Sequence, residues 1–170
     1  MPAPTPLVTI RPITPADGPR LTAFHDGLSA ESRRRRFLSP KLELSRTEVR
    51  YLTDVDGADH VALVAVCRDE PERIVGVGRF VRLAGDPESA EMAVVVADEL
   101  QGRGLGRLIG VALADAARAR GIRRFTATML SDNVAALRLF EAISRRLRTH
   151  QSRGVRELVA DLDTAEHRAA

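Results

Sequence analysis

Residues 101–117 read QGRGLGRLIGVALADAA. Leu105, Leu108, Ile109, Ala112, Leu113, Ala116 and Ala117 fall at i, i+3, i+4, i+7, i+8, i+11 and i+12. That is one apolar stripe at the helical period, so a long amphipathic helix is expected, with Gly121 as its C-cap. Just ahead of it stand Gly102, Gly104 and Gly106. A residue without Cβ lets a ligand come close to the backbone. The first amides of a helix have no internal partner, and the helix dipole adds partial positive charge there. The stretch therefore predicts a phosphate cradle, with Arg103 and Arg107 placed to add charge-assisted contacts. Taken alone, a Gly-rich turn with arginines in water reads as an ordinary loop; a strand before it and a helix after it set this one apart.

Two common phosphate ligands are disfavoured. The GxGxxG pattern fails, because three residues after Gly104 stands Arg107 and three after Gly106 stands Ile109, and no acidic residue about 20 positions on could hold a ribose. GxxxxGK[ST] is absent as well, since Lys41 is the only lysine in the chain.

Upstream, Ser89–Ala97 reads as a strand leading into the cradle, and Phe125–Leu130 as a strand after the helix. A strand–helix–strand unit places these two parallel. Val61–Cys67 is a continuous apolar run, and Ile74–Leu83 is a strand with Gly76 and Gly78 along it. With Ser89–Ala97 they form an antiparallel meander, because their connections are too short for crossovers. Before them, Leu7–Arg11 is a first strand after a Pro-rich opening at 1–6. Thr14 and Pro15 start a helix running to about Leu28. A short helix covers Glu31–Phe37, and Ser45 with Glu48 makes a capping box for a third helix to about Leu52. Downstream, Asp132 is placed to cap a helix carrying Val134, Leu137, Leu139 and Phe140. Leu147–Gln151 and Val155–Asp163 form a terminal hairpin around Gly154.

The chain has 170 residues, 44% hydrophobic and 29% charged, which suits one globular domain over residues 1–170. Its 26 basic and 23 acidic residues leave a net charge of +3. All the basic residues but Lys41 are arginine, so the high pI reflects the arginine pKa rather than a large charge. With only 4% aromatic residues, stacking on nucleic acid is disfavoured. The lone Cys67 excludes an internal disulfide and a CxxC site, and His25, His60, His150 and His167 form no metal-binding pair. The start carries no signal-peptide pattern and no apolar run reaches spanning length. A cytoplasmic protein without metal or membrane association is expected, as a monomer or homodimer. The run Arg33–Arg36 reads as a solvated helix face, with a part in choosing an acidic partner.

From Gln101 to Gly106 the sequence matches the R/Q-x-x-G-x-G/A signature of the GNAT superfamily of N-acetyltransferases. The resemblance extends over nearly the whole chain, because the order of elements agrees too. The chain is most similar to the catalytic domain of bacterial protein lysine acetyltransferases, through Leu28-Ser-Ala-Glu-Ser-Arg-Arg-Arg-Arg-Phe-Leu-Ser-Pro40, Ala90-Glu-Met-Ala-Val-Val-Val96 and the loop itself. The resemblance implies an α/β (α+β) GNAT fold, with a mixed central sheet of about seven strands flanked by about four to five helices. It implies acetyl-CoA as co-substrate, its diphosphate held by Gln101, Gly102, Arg103, Gly104, Leu105, Gly106 and Arg107. The strand through Ala93, Val94, Val95 and Val96 would pair with the pantetheine arm like an added strand. Asn133, early in the next helix, matches an asparagine that steadies that arm.

Acyl transfer to an amine needs a base, because an amine of pKa about 10.4 is protonated near neutrality. Glu91 matches the family's glutamate and lies in an apolar run, on the strand face it shares with Ala93 and Val95. Desolvation there is expected to raise its pKa toward a useful value. The general acid is not evident. Many relatives place a tyrosine in the helix after the last parallel strand, near where Phe140 stands; the single tyrosine is Tyr51, and Ile143-Ser144-Arg145-Arg146 replaces the usual Gly-Phe; Ser131 is a weak substitute. Cys67, inside a buried run, does not suit a covalent route. The favoured reading is acetyl transfer to a primary amine, foremost a protein lysine. Alternatives are a small-molecule amine acetyltransferase and a CoA-binding sensor without catalysis.

Overall fold

A computed structural model describes residues 7–162. The opening at 1–6 and the end at 163–170, which takes in Asp163, lie outside the described residues. In chain order the elements are β1 (Val8–Pro12), α1 (Gly18–Gly27), α2 (Ala30–Phe37), α3 (Arg46–Thr53), β2 (His60–Cys67), β3 (Ile74–Leu83), β4 (Asp86–Val96), α4 (Leu105–Arg118), β5 (Arg124–Leu130), α5 (Val134–Ile143), β6 (Ser144–Ser152) and β7 (Val155–Leu162). The strands form one seven-stranded sheet in the order β1-β2-β3-β4-β5-β7-β6. Its pairs are antiparallel except β4 with β5. The expected meander, parallel pair and terminal hairpin are all present.

Prolines explain one departure. The helix expected from Thr14 onward is divided into a 3-10 turn at Pro15–Asp17 and α1 from Gly18. Pro19 has no N–H to give the Pro15 carbonyl, so the ladder cannot run through; the Gly18 amide closes a 3-10 bond to Pro15 instead. Asp17, fully buried, anchors this corner. Its carboxylate accepts two 2.7 Å bonds from Arg11, one of 3.1 Å from Arg20 and one of 2.9 Å from the Thr14 amide. The Arg11 hydrogen bonds, foremost, hold the Asp17 carboxyl well below the ordinary value against the opposing effect of burial.

The central helix α4 packs closely on β3 because β3 carries two glycines. A Cβ on Gly76 would lie 2.6 Å from Ile109 Cδ1. One on Gly78 would overlap Ile109 Cγ2 and come within 2.7 Å of Leu113 Cδ1. Leu105, Ile109, Leu113 and Ala117 are buried along this contact. Each buried Leu or Ile side chain contributes about 1.5–3 kcal/mol. Leu108, expected on the stripe, is 55% exposed. The buried arc is centred on Ile109 and Leu113, and Leu108 falls at its rim.

At the other end of the chain, Asn133 rather than Asp132 caps α5, its Oδ1 accepting from the Ala136 amide at 3.2 Å. Strand β6 begins directly after α5 at Ser144, three residues earlier than expected.

Candidate active site

The site begins where the sheet opens. Strands β4 and β5 pair only over Ser89–Arg124, Ala90–Phe125 and Glu91–Thr126. Beyond Glu91, β4 continues to Val96 with β3 as its one strand neighbour, while β5 continues to Leu130 paired with β7. The two parallel strands therefore part at Glu91. The β5-facing edge of Met92–Val96 presents main-chain groups with no strand partner, in a gap that an extended ligand arm could enter.

The Gly-rich loop lies at the end of that edge. Gly102 (φ +73°) and Gly104 (φ +83°) are both left-handed, a conformation that costs other residues about 1–2 kcal/mol. A Cβ at either would meet nothing within 4 Å, so the loop faces open space. Helix α4 has no side-chain cap, and its first bond of the 5→1 kind runs from the Leu108 amide to the Gly104 carbonyl at 3.1 Å. The amides of Leu105, Gly106 and Arg107 precede it and carry the dipole's positive end. Leu105 offers only its backbone here, because its side chain is 3% exposed in the core. Arg103 is half-buried and Arg107 exposed beside the loop. Amide donors without a cap, open approach and arginines together fit a diphosphate.

Gln101, expected among the residues that hold the diphosphate, has its side chain engaged within the protein. Its side-chain amide donates to the Val96 carbonyl and to Ser32 Oγ, both at 3.0 Å, and its backbone amide bonds Asp98. Its side chain is a latch between the end of β4 and α2. The latch extends through Asp98, which accepts from the Ser29 amide at 2.9 Å, Ser29 Oγ at 2.6 Å and Ser32 Oγ at 2.7 Å. Burial acts to raise the Asp98 carboxyl, but the Ser29 and Ser32 bonds prevail and leave it below its ordinary value. Ser29 also caps α2 by accepting from the Ser32 amide at 3.1 Å. The cradle and α2 are thus tied into one unit. For Asn133, the side-chain oxygen is committed to capping α5.

Alternation along β4 divides the remaining residues between two faces. Val94 and Val96 face α4, near the positions where Gly78 and Gly106 would carry a Cβ. Val95 faces α1 and α2, and Glu91 and Ala93 share its side of the strand. Glu91 is exposed, so the expected desolvation of this carboxylate is not met. It stands at the mouth of the splay, where β4 has already lost β5 as a cover.

The arginine run is not a uniformly solvated face. Arg33 donates to the carbonyls of Asp26, Leu28 and Leu42 at 2.9–3.0 Å, and Arg34 and Arg35 pair with Glu31. Arg36 turns inward. It lines a small cavity under α1 and α2 together with Leu21, Phe24, His25, Val77, Arg79 and Val95. Arg79, from the middle of β3, is 6% exposed. A charged residue between Gly78 and Phe80 in a buried strand was the signal that could have marked it. A larger cavity of about 600 Å³ lies by α1 and the β2–β3 turn and includes none of the expected site residues. Phe140 is buried, and Tyr51 is on α3, well apart from it in the sequence. Burial pushes the Cys67 thiol up, away from the thiolate a covalent route would need. Among the described residues, no group of three or more His, Cys, Asp or Glu is placed to hold a metal, and no helix is long and apolar enough to cross a membrane.

A sheet parted beside a capless helix, with a Gly-rich loop at the far end of the opened edge, is the arrangement of the acetyltransferase (GNAT) domain, and the profile of that domain matches residues 8–144. The chain belongs to this family. It is 34% identical over 134 residues to acetyltransferase Pat of Mycolicibacterium smegmatis, covering 79% of this chain and 40% of that protein. The chain thus spans well under half of that relative's length. The crystal structure of the GNAT domain of S. lividans PAT superposes with a TM-score of 0.82 at 33% identity, covering 91% of this chain and 90% of the other. A Salmonella typhimurium protein solved with acetyl-CoA shares the fold at TM-score 0.71 and 22% identity, covering 96% of each chain.

Proposed function

We propose that the protein is an acetyl-CoA-dependent N-acetyltransferase acting on a primary amine, foremost a protein lysine, by direct transfer. The observation that carries this reading is the end of β4–β5 pairing at Glu91, with the uncapped amides of α4 at the far end of the opened edge. Bound acetyl-CoA supplies a thioester carbonyl, whose acetyl group passes to the amine nitrogen as the C–S bond breaks and the thiol departs.

The chain's own residues take the other roles. Gly102, Gly104 and the amides of Leu105, Gly106 and Arg107 hold the diphosphate, with Arg103 and Arg107 adding charge. The backbone of Ala93–Val96 aligns the pantetheine arm as an added strand. Gln101 acts through its latch, fixing the cradle relative to α2. Glu91, at the parting, takes the proton from the attacking amine directly or through one water. Its exposure suits an acceptor arriving from solvent, such as a lysine on a protein surface. No side chain is assigned as general acid; a thiol pKa of about 8.5 lets water protonate the leaving group.

The similarity to acetyltransferase Pat supports a protein acceptor. A CoA-binding sensor without catalysis is the competing reading, favoured by a phenylalanine, Phe140, near the place where many relatives carry a tyrosine. Thiol release from acetyl-CoA in the presence of amine acceptors separates the two. Release that depends on Glu91 supports the enzyme; saturable CoA binding with no release for any acceptor supports the sensor.

A further inference from the structure

Beneath α1 and α2, the face of the sheet that carries Glu91 also carries a buried guanidinium, that of Arg79. Arg79 is 6% exposed. Its Nη1 donates to the Leu52 carbonyl at 3.1 Å and contacts His60 Nε2 at 3.1 Å, and its Nε has no partner among the described residues. Arg36 borders the same cavity from α2. Neither arginine makes an ion pair among the described residues. Burial, and then the neighbouring Arg36, push Arg79 down to about 9. Burial lowers Arg36 too, and Glu91 is the acidic group that offsets this.

An unpaired buried cation is costly, and two that repel each other cost more. Arginine does not readily escape by losing its proton. Glu91 acts on Arg36 and not on Arg79, so the remaining way to balance Arg79 is an anion from outside. The cavity between them, about 20 Å³ and otherwise lined mostly by apolar side chains, has room for one small group. The planar fork of a guanidinium matches a carboxylate.

We propose that Arg36 and Arg79 form a receptor for a carboxylate carried by the acceptor, close to the amine that is acetylated. The inference rests on the acyl-transfer reading and narrows its substrate class. The strand register places the two functions side by side. Arg79 pairs across the β3–β4 ladder with Ala93, two residues from Glu91 on the same face. A carboxylate on the arginines therefore sets its own amine beside Glu91. Two sources share this chemistry: a free amino acid, and an acidic residue next to a target lysine in a protein.

The test uses the full chain and has two readouts. In the first, the Arg79 Nε–H resonance, assigned by its loss in Arg79→Lys, is followed by NMR during titration with sodium formate. Sodium chloride at matched ionic strength is the control. A saturable shift with formate is expected; no saturable shift overturns the site, whether or not the protein is an enzyme. In the second, thiol release is compared for paired acceptors that differ only in carboxylate against carboxamide, as free amino acids and as lysine peptides with Glu or Gln beside the lysine. A ten- to hundredfold higher kcat/KM for the carboxylate member is expected in one of the two series, the size of a charge-assisted hydrogen bond. The series that shows it identifies the source. The preference disappears in Arg36→Met and Arg79→Met. Equal turnover of both members overturns the assignment to the acceptor. A formate shift without turnover of any amine overturns the acyl-transfer reading and, with it, the acceptor role, while the anion site stands.

Discussion

Gly104→Ala separates the cradle's two properties, its strained backbone and its open approach. At φ +83° an alanine costs about 1–2 kcal/mol. Its methyl group meets nothing within 4 Å, so no clash with the protein adds to that figure. If the free loop keeps its shape, the cost falls on stability. If the free loop relaxes, the cost is transferred to binding and weakens CoA about five- to thirtyfold. The methyl group also stands in the space through which a diphosphate reaches the amides, which adds to the loss. Gly57→Ala is the matched control, because Gly57 has φ +71°, open surroundings and a place in the loop between α3 and β2. Calorimetric titration with CoA and urea denaturation are run on both. Gly57→Ala is expected to lose stability and keep affinity, and Gly104→Ala to lose affinity at least fivefold. Wild-type affinity in a folded Gly104→Ala protein would refute the placement of the diphosphate at this loop.

Glu91→Gln is expected to lower kcat by about 10²–10⁴-fold and leave CoA affinity unchanged; unchanged turnover in a steady-state assay removes Glu91 from the role of base. Gly78→Ala drives a methyl group into Ile109 and Leu113, so denaturation should show a loss of about 1–3 kcal/mol; an unchanged midpoint would contradict the close packing of α4 on β3. Asp17→Asn removes the partner of two arginines and is expected to cost about 3 kcal/mol, the low end for a buried pair because Arg11 and Arg20 are partly in water. The Asp17 carboxyl is held below its unfolded value, so its contribution is present at neutral pH and lost as pH falls through the folded pKa. The acid limb of the stability profile should therefore flatten in that variant. Burial lowers the pKa of His25 and His60, so the unfolded chain takes up protons first and stability drops as pH falls below about 6.5. His25→Phe should make that decline shallower in thermal melts from pH 8 to 5.

The elements that position the site were legible because each has a local signature. The stripe from Leu105 to Ala117 marks α4, the three glycines mark the loop, and short connections force the meander. Ser45 and Glu48 mark the start of α3, and their reciprocal bonds are present at 3.2 and 2.8 Å. What was not legible depends on contacts between distant segments. Gln101 carries a loop motif, yet its side chain serves Ser32, 69 positions away. The run Arg33–Arg36 looks uniform in sequence, but α2 lies against the sheet by one side, so Arg36 borders the cavity under α1 and α2 while Arg34 is exposed. Glu91 looks enclosed among Ala90, Met92 and Ala93, and only the parting of β5 leaves it open. The partition of the expected Thr14–Leu28 helix was written in Pro19, whose missing N–H interrupts the ladder.

On this reading, amides of the loop and the first turn of α4 grip a diphosphate. The most direct measurement is an amide-resolved NMR titration of the ¹⁵N-labelled chain with coenzyme A. The Gly102, Gly104 and Gly106 resonances should move downfield together and saturate at one ligand per chain, while Gly57 and Gly85 stay in place. Saturable binding that leaves the three loop glycines unmoved, or no binding to the folded protein, would contradict it.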